Sequence, residues 1–176
     1  MTVAEFLNRL EIFDIRESAF EVLKEHEDDL IEIQKNQLWA GKDARGNDLT
    51  PSILDDPYFI ERYQDKATAK AHEYAEYKDR QDQRVDNYIF GSRTFGVPNL
   101  ILTSGVKVWR KLRVIYGDNA IYIDAGGENG YPDLTDELEA KYDEPFGVNP
   151  VGISYLRELF LDVEIHQKNM QKLFEV

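Results

Sequence analysis

The sequence contains no cysteine. That excludes a disulfide framework, a thiol nucleophile and cysteine-ligated zinc, and it leaves the redox compartment open. No apolar run approaches the ~18 residues of a membrane span, so no membrane partner is expected. The opening MTVAEFLNRLEIFD has neither a basic flank nor an apolar stretch and carries an acid at Glu5, which predicts no secretory leader. Basic residues are in deficit, 21 Lys and Arg against 34 Asp and Glu, for a formal charge of −13. That balance argues against wrapping a phosphate backbone, against sequence-specific nucleic-acid binding and against adhesion to an anionic surface. The phosphate-loop, dinucleotide and nucleophile-elbow patterns are also missing. The one Gly-Lys pair, Gly41-Lys42, has neither the upstream glycine nor the following hydroxyl of a phosphate loop.

What is present describes a globular chain. At 176 residues, 42% hydrophobic and 31% charged, it is long enough for one domain that buries a sizeable core. From Ile15 the apolar positions run Ile15, Ala19, Val22, Leu23, Leu30, Ile33 and Leu38 at helical spacing, with His26 in the gap and acids opposite. Asp14 with Glu17, like Thr2 with Glu5, has the spacing of a capping box, and Gly41 is a natural stop. One long amphipathic helix is expected within residues 14–40, with 1–13 as an arm. GKDARGNDLTPSILDDP then reads as a loop turning at Gly46-Asn47, and Pro57 with Asp56 as cap opens a second helix to about Asp79. Near Tyr88 the period changes to alternation. LRVIY and IYID predict a hairpin turning at Gly117-Asp118-Asn119, preceded by strand-like stretches within residues 99–111. A short helix over Leu134–Tyr142, capped by Asp133 or Thr135, and a final helix opened by Asn149-Pro150 complete the order. The final helix is expected to run through Leu156, Leu159, Phe160, Val163, Met170 and Phe174. The expected fold class is α+β: a long N-terminal helix, an antiparallel sheet with a hairpin, and a C-terminal helix in a single domain over 1–176, with 41–86 as an insertion-like loop and helix.

Candidate chemistry is sparse. His26 on an apolar stripe reads as a packed or hydrogen-bonded core histidine, and His166 as a surface residue. His72-Glu73 lacks the second histidine of a zinc-binding helix. DARGND and DNAIYIDAGGENG place apolar residues where a calcium loop needs oxygen ligands. Among so many acids some carboxylate pair falls close by chance, so proximity alone names no acid–base pair. The expectation is a protein that is not an enzyme and needs no metal or cofactor.

Three features stand in a telling order. The helix leads into Gly41-Lys42-Asp43-Ala44-Arg45-Gly46-Asn47-Asp48-Leu49-Thr50-Pro51. Leu100-Ile101-Leu102-Thr103-Ser104-Gly105 precedes the alternating strand and hairpin, and Lys141-Tyr142 with Phe146-Gly147 precedes the closing helix. This resembles the virion-morphogenesis or tail-completion proteins of tailed bacteriophages, over roughly residues 15–165. The match lies in Asp43, Gly46, Leu49 and Pro51, and more loosely in Leu102, Thr103, Gly105, Tyr142 and Gly147. Ser104 separates a Thr-Gly pair that is contiguous in the family pattern, and the histidine common between the Tyr and Gly of the last segment is missing. The resemblance implies a virion protein made in the bacterial host cytoplasm. It would form a homo-oligomeric ring at the head–tail neck, against portal, neck or tail subunits, and permit DNA passage. An acidic inhibitor that mimics nucleic-acid charge, and less so a small hydrolase, are the alternative readings of the composition.

The loop 41–57 is longer than most connections, and the segment after it is rich in aromatic side chains that pack while their hydroxyls stay wet. The expected partner interface therefore comprises Gly41, Asp43, Gly46, Leu49, Pro51, Tyr58, Phe59 and Tyr63, on a loop mobile in the free monomer.

Overall fold

The computed structural model describes residues 15–82, 89–91, 93–100, 112–118, 120–126 and 134–174. The fold is mostly helical with a small two-stranded antiparallel sheet, an α+β arrangement with helices at both ends of the described chain.

The N-terminal helix is not continuous. Helix α1, Ile15–Glu25, and helix α2, Glu27–Trp39, meet at His26, whose φ of −114° and ψ of 32° leave the helical region. One local and one tertiary influence favour the break there. Glu27, Asp28 and Asp29 crowd the first turn of α2, where the helix dipole favours negative charge. The His26 ring is also drawn away by partners in another element, described below. Val22, Leu30, Ile33 and Leu38 are buried as their spacing predicts, but Ile15 is exposed and the face also buries Ser18, Gln34 and Gln37.

α2 ends at Gly41, as its sequence predicts. Gly41 has φ +69°, and a Cβ there would lie 2.4 Å from Val97 Cγ1 and 2.8 Å from the Pro98 carbonyl oxygen. Glycine is required twice over, by conformation and by the closeness of the neighbouring chain.

The loop after Gly41 is built rather than loose. Lys42 bridges to Asp48, the Asp43 amide donates to the Asn47 carbonyl, and Gly46 takes φ +91° at the foreseen turn. Leu49 and Ile53 are buried anchors. The loop expected to be mobile in the free monomer has few apolar anchors, and backbone and side-chain hydrogen bonds close it on itself.

Pro57 opens helix α3, Pro57–Tyr63, and the Asp56 side chain caps it by accepting from the Tyr58 amide. The single helix expected to Asp79 is broken by a 3₁₀ turn at Gln64–Lys66, where Gln64 has φ +48°. Helix α4, Ala67–Asp82, follows. The break folds α3 against α4, and Ile53, Phe59, Ala67, Ala71 and Ala75 make a second, smaller core between them. Tyr58, Phe59, Tyr63, Tyr74 and Tyr77 form a chain of ring contacts over that core, with centroids 5.4 to 6.5 Å apart.

Strands β1, Arg113–Tyr116, and β2, Ile121–Asp124, pair as the alternation predicts, with Val114 opposite Ile123 and Tyr116 opposite Ile121. The Gly117 amide closes the turn on the Ala120 carbonyl. Leu112 and Ile123 point into the main core. Of the strands expected within 99–111, residues 99 and 100 are described and are not in a strand, and 101–111 lie outside the described residues, as do the caps at Thr2 and Asp14, and Asp133 and Asn119.

Helix α5, Thr135–Lys141, has the expected span but no side-chain cap. The Thr135 hydroxyl instead accepts from the Ala125 amide of the preceding segment. Asn149 caps helix α6, Pro150–Leu156, by accepting from the Val151 and Gly152 amides. A π-type turn over Arg157–Leu161 then leads into helix α7, Asp162–Phe174. The extra residue in that turn rotates the apolar stripe. Leu156 and Phe160 are buried, whereas Leu159, Val163, Met170 and Phe174 are exposed. Toward α1 the helix presents Lys168 and Lys172, which pair with Glu25 and with Glu17 and Glu21.

Candidate interaction site: a node of two loops

Two of the three segments carrying the motif pattern, about a hundred positions apart, are brought together by α2; Leu102, Thr103 and Gly105 of the third lie outside the described residues. Gln34 and Gln37, one turn apart, are fully buried among Ile33 and Leu38. A buried carboxamide must have its donors and acceptor matched, and both glutamines find their partners in the backbone of the loops. Gln37 Nε2 donates to the carbonyls of Asp43, at 3.1 Å, and Gly147, at 2.8 Å, while its Oε1 accepts from the Asn149 amide at 2.8 Å. Gln34 Oε1 accepts from the Gly147 amide at 2.9 Å and its Nε2 donates to the Pro145 carbonyl at 3.3 Å. The segment from Pro145 to Asn149 is therefore held at alternating amides and carbonyls by one helix face.

The Asp43 turn is fastened to the same place. Its buried carboxylate accepts from the amides of Arg45 and Asn47, at 2.9 and 2.7 Å, which makes Asp43 the organiser of the turn. The Ala44 amide donates to the Glu144 carbonyl at 2.9 Å. A Cβ on Gly147, whose φ is +115°, would stand 3.2 Å from the Ala44 methyl carbon, so the Gly147 backbone lies close against the Ala44 side chain. Asn149 Oδ1 completes the node by capping α6.

The rim is charged. Arg45 reaches Asp143 and Glu144 on the opposite loop, and Asp143, as the main partner, pushes the guanidinium's pKa up. Lys141 binds Asp56 at 2.6 Å, joining α5 to the start of α3 and linking the node to the aromatic core. Tyr142, buried beside them, has its phenol pKa raised mainly by burial. Lys78, also buried, donates to the Asn99 carbonyl at 3.2 Å, with its ammonium 5.6 Å from the Tyr74 ring centroid.

The eight residues expected to form an interface divide in two. Gly41, Asp43, Gly46, Leu49 and Pro51 belong to the node or its approach. Of these, Gly41, Asp43 and Leu49 are buried within their own chain, and Gly46 and Pro51 are half-buried. Phe59 is buried and Tyr63 half-buried in the smaller core, which leaves Tyr58, 47% exposed, as the broadly accessible member. The motif residues thus shape the surface from beneath, and the accessible atoms are those of Arg45, Asp143 and Glu144. Gln34 and Gln37 are organising residues that the sequence reading does not single out. Their signal was two glutamines at helical spacing on an apolar face, flanked by Ile33 and Leu38. His72 and His166 are exposed, and among the described residues no group of three or more His, Asp or Glu is placed to hold a metal ion. No described helix is long and apolar enough to cross a membrane.

No family model, curated protein or solved structure was found to match this chain.

Proposed function

We propose that the chain is a non-catalytic structural subunit of a tailed-phage or prophage particle. In this reading it sits at the head–tail neck or tail-completion ring, against copies of itself and against portal, neck or tail subunits. The observation that carries this reading is the node. Two of the three segments that resemble the virion-morphogenesis pattern, Asp43–Pro51 and Tyr142–Gly147, are distant in sequence and fold into one hydrogen-bonded unit on α2. Residues that recur because they build one local shape are expected to meet in this way.

Two further features support it. Val151, Ile153, Leu159 and Val163, along α6, the π-type turn and α7, are each about half exposed, so apolar side chains are available there for association. The charge of −13 suits a ring whose lumen must let DNA slide, since attraction to phosphate would hold it. The test is assembly. The full chain should form discrete rings by mass photometry and negative-stain microscopy, or be found in purified particles. Leu159→Glu with Val163→Glu should leave a folded monomer. A wild-type chain that stays monomeric at tens of micromolar and is missing from particles would overturn the reading.

A further inference from the structure

His26 stands where the first amphipathic helix is interrupted and faces the π-type turn of the last one. Its ring is stacked on Phe160, with centroids 3.7 Å apart and 11° between the planes. Nδ1 lies 2.9 Å from Asp29 Oδ2, and Nε2 lies 2.9 Å from Glu164 Oε2. A carboxylate oxygen only accepts, so both ring nitrogens must donate, and an imidazole that donates at both is the cation. The neutral ring would turn a lone pair toward one of the two oxygens. Asp29 is in the first turn of α2 and Glu164 in the first turn of α7, so the ring joins two elements that the chain separates by more than a hundred residues.

The attachment of α7 makes that junction matter. No residue of α7 is fully buried. Its seam with α1 is made by Lys168 to Glu25 at 2.8 Å, and by Lys172 to Glu17 and Glu21 at 3.2 and 3.1 Å. Ile165 also packs against the main core, so the helix is held by apolar contact as well as by charge. The charged groups recorded on the His26 ring are Asp29 from α2 and Glu164 from α7; beside it in the chain Glu27 meets Tyr116 of β1, over whose ring Lys24 of α1 lies, and Glu25 of α1 meets Lys168 of α7. Tyr116 donates its hydroxyl to Glu27. Carboxylic acids, amines and phenols ordinarily change charge outside pH 6–8.5, and histidine changes within it.

We propose that His26 is a protonation-operated latch, whose imidazolium fastens the C-terminal helix α7 to the α1–α2 junction and whose deprotonation loosens that helix. The two carboxylates hold the proton on the ring, Asp29 contributing most, so His26 titrates above the ordinary histidine value. The latch is independent of the assembly reading above.

Hydrogen exchange of the full chain, corrected for intrinsic rates and followed by mass spectrometry at pH 6.0 and 8.5, tests it. In the wild type, protection of peptides covering residues 162–174 should fall by a factor of about 3 to 10 on going to pH 8.5, the scale of a partly exposed ion pair. His26→Gln and Glu164→Gln should each abolish that dependence, while His166→Gln, on α7 itself, should keep it. A wild-type helix with equal protection at both pH values would overturn the latch. So would the same dependence persisting in Glu164→Gln, which removes one tether without touching the helix junction.

Discussion

Replacing Gln37 by methionine tests the node most directly. Methionine keeps the length of the side chain and removes its carboxamide. Three backbone groups then lose a partner, but they do not lose it equally. The Asp43 carbonyl still accepts from the Gly46 amide at 3.1 Å. The Gly147 carbonyl and the Asn149 amide both lose Gln37 as partner; the Asn149 amide stands in the interior and the Gly147 carbonyl is half-buried, so the figure for two buried groups is an upper bound. An unsatisfied buried polar group costs about 1–3 kcal/mol, so two cost about 2–6. The more apolar methionine recovers about 1 kcal/mol of that. The expected loss is about 3 kcal/mol, a large part of the 5–15 kcal/mol typical of a domain. With a urea slope of about 2 kcal/mol/M, the unfolding midpoint should fall by about 1.5 M. Gln34→Met should cost less, and the double variant less than the sum, because both glutamines hold the same segment. A midpoint shift below about 0.3 M for Gln37→Met would show that the loops do not depend on this side chain, and the node would lose its physical basis.

Gly41→Ala should destabilise by about 2–4 kcal/mol in thermal unfolding, combining left-handed strain with a methyl forced onto Val97 and the Pro98 carbonyl. A change within about 0.5 kcal/mol would refute the close approach. Ser18→Ala should be neutral or stabilising by up to about 1 kcal/mol, because the buried Ser18 hydroxyl has no hydrogen-bond partner among the described residues. A loss of more than about 1 kcal/mol would reveal a partner. The stability that wild type has over His26→Gln should be fully present below pH 6.5, where His26 is charged in the folded and unfolded chain alike. It should be lost as pH rises through the higher folded value, so the two melting curves converge toward pH 8.5. Curves that diverge with rising pH would reverse the sign of the argument.

Much of the fold was legible from neighbours in the sequence. The stop at Gly41, the turn at Gly46, the Asp56 and Asn149 caps with Pro57 and Pro150 behind them, and the register of LRVIY on IYID all follow from forces acting across a few residues. The departures share one cause. The break at His26, the fold-back at Gln64 and the π-type turn before Asp162 depend on what each segment meets, and period alone does not contain the partner. The site divides in the same way. Asp43, Gly46 and Gly147 could be picked out as turn residues, and Gln34 and Gln37 could be seen as polar positions on an apolar face. That those glutamines would find the backbones of two loops, and that His26 would find Glu164 across the molecule, was decided only by packing. A hydrogen-bonding side chain states what it can donate or accept, and the tertiary structure alone selects which distant group is brought within 3 Å of it.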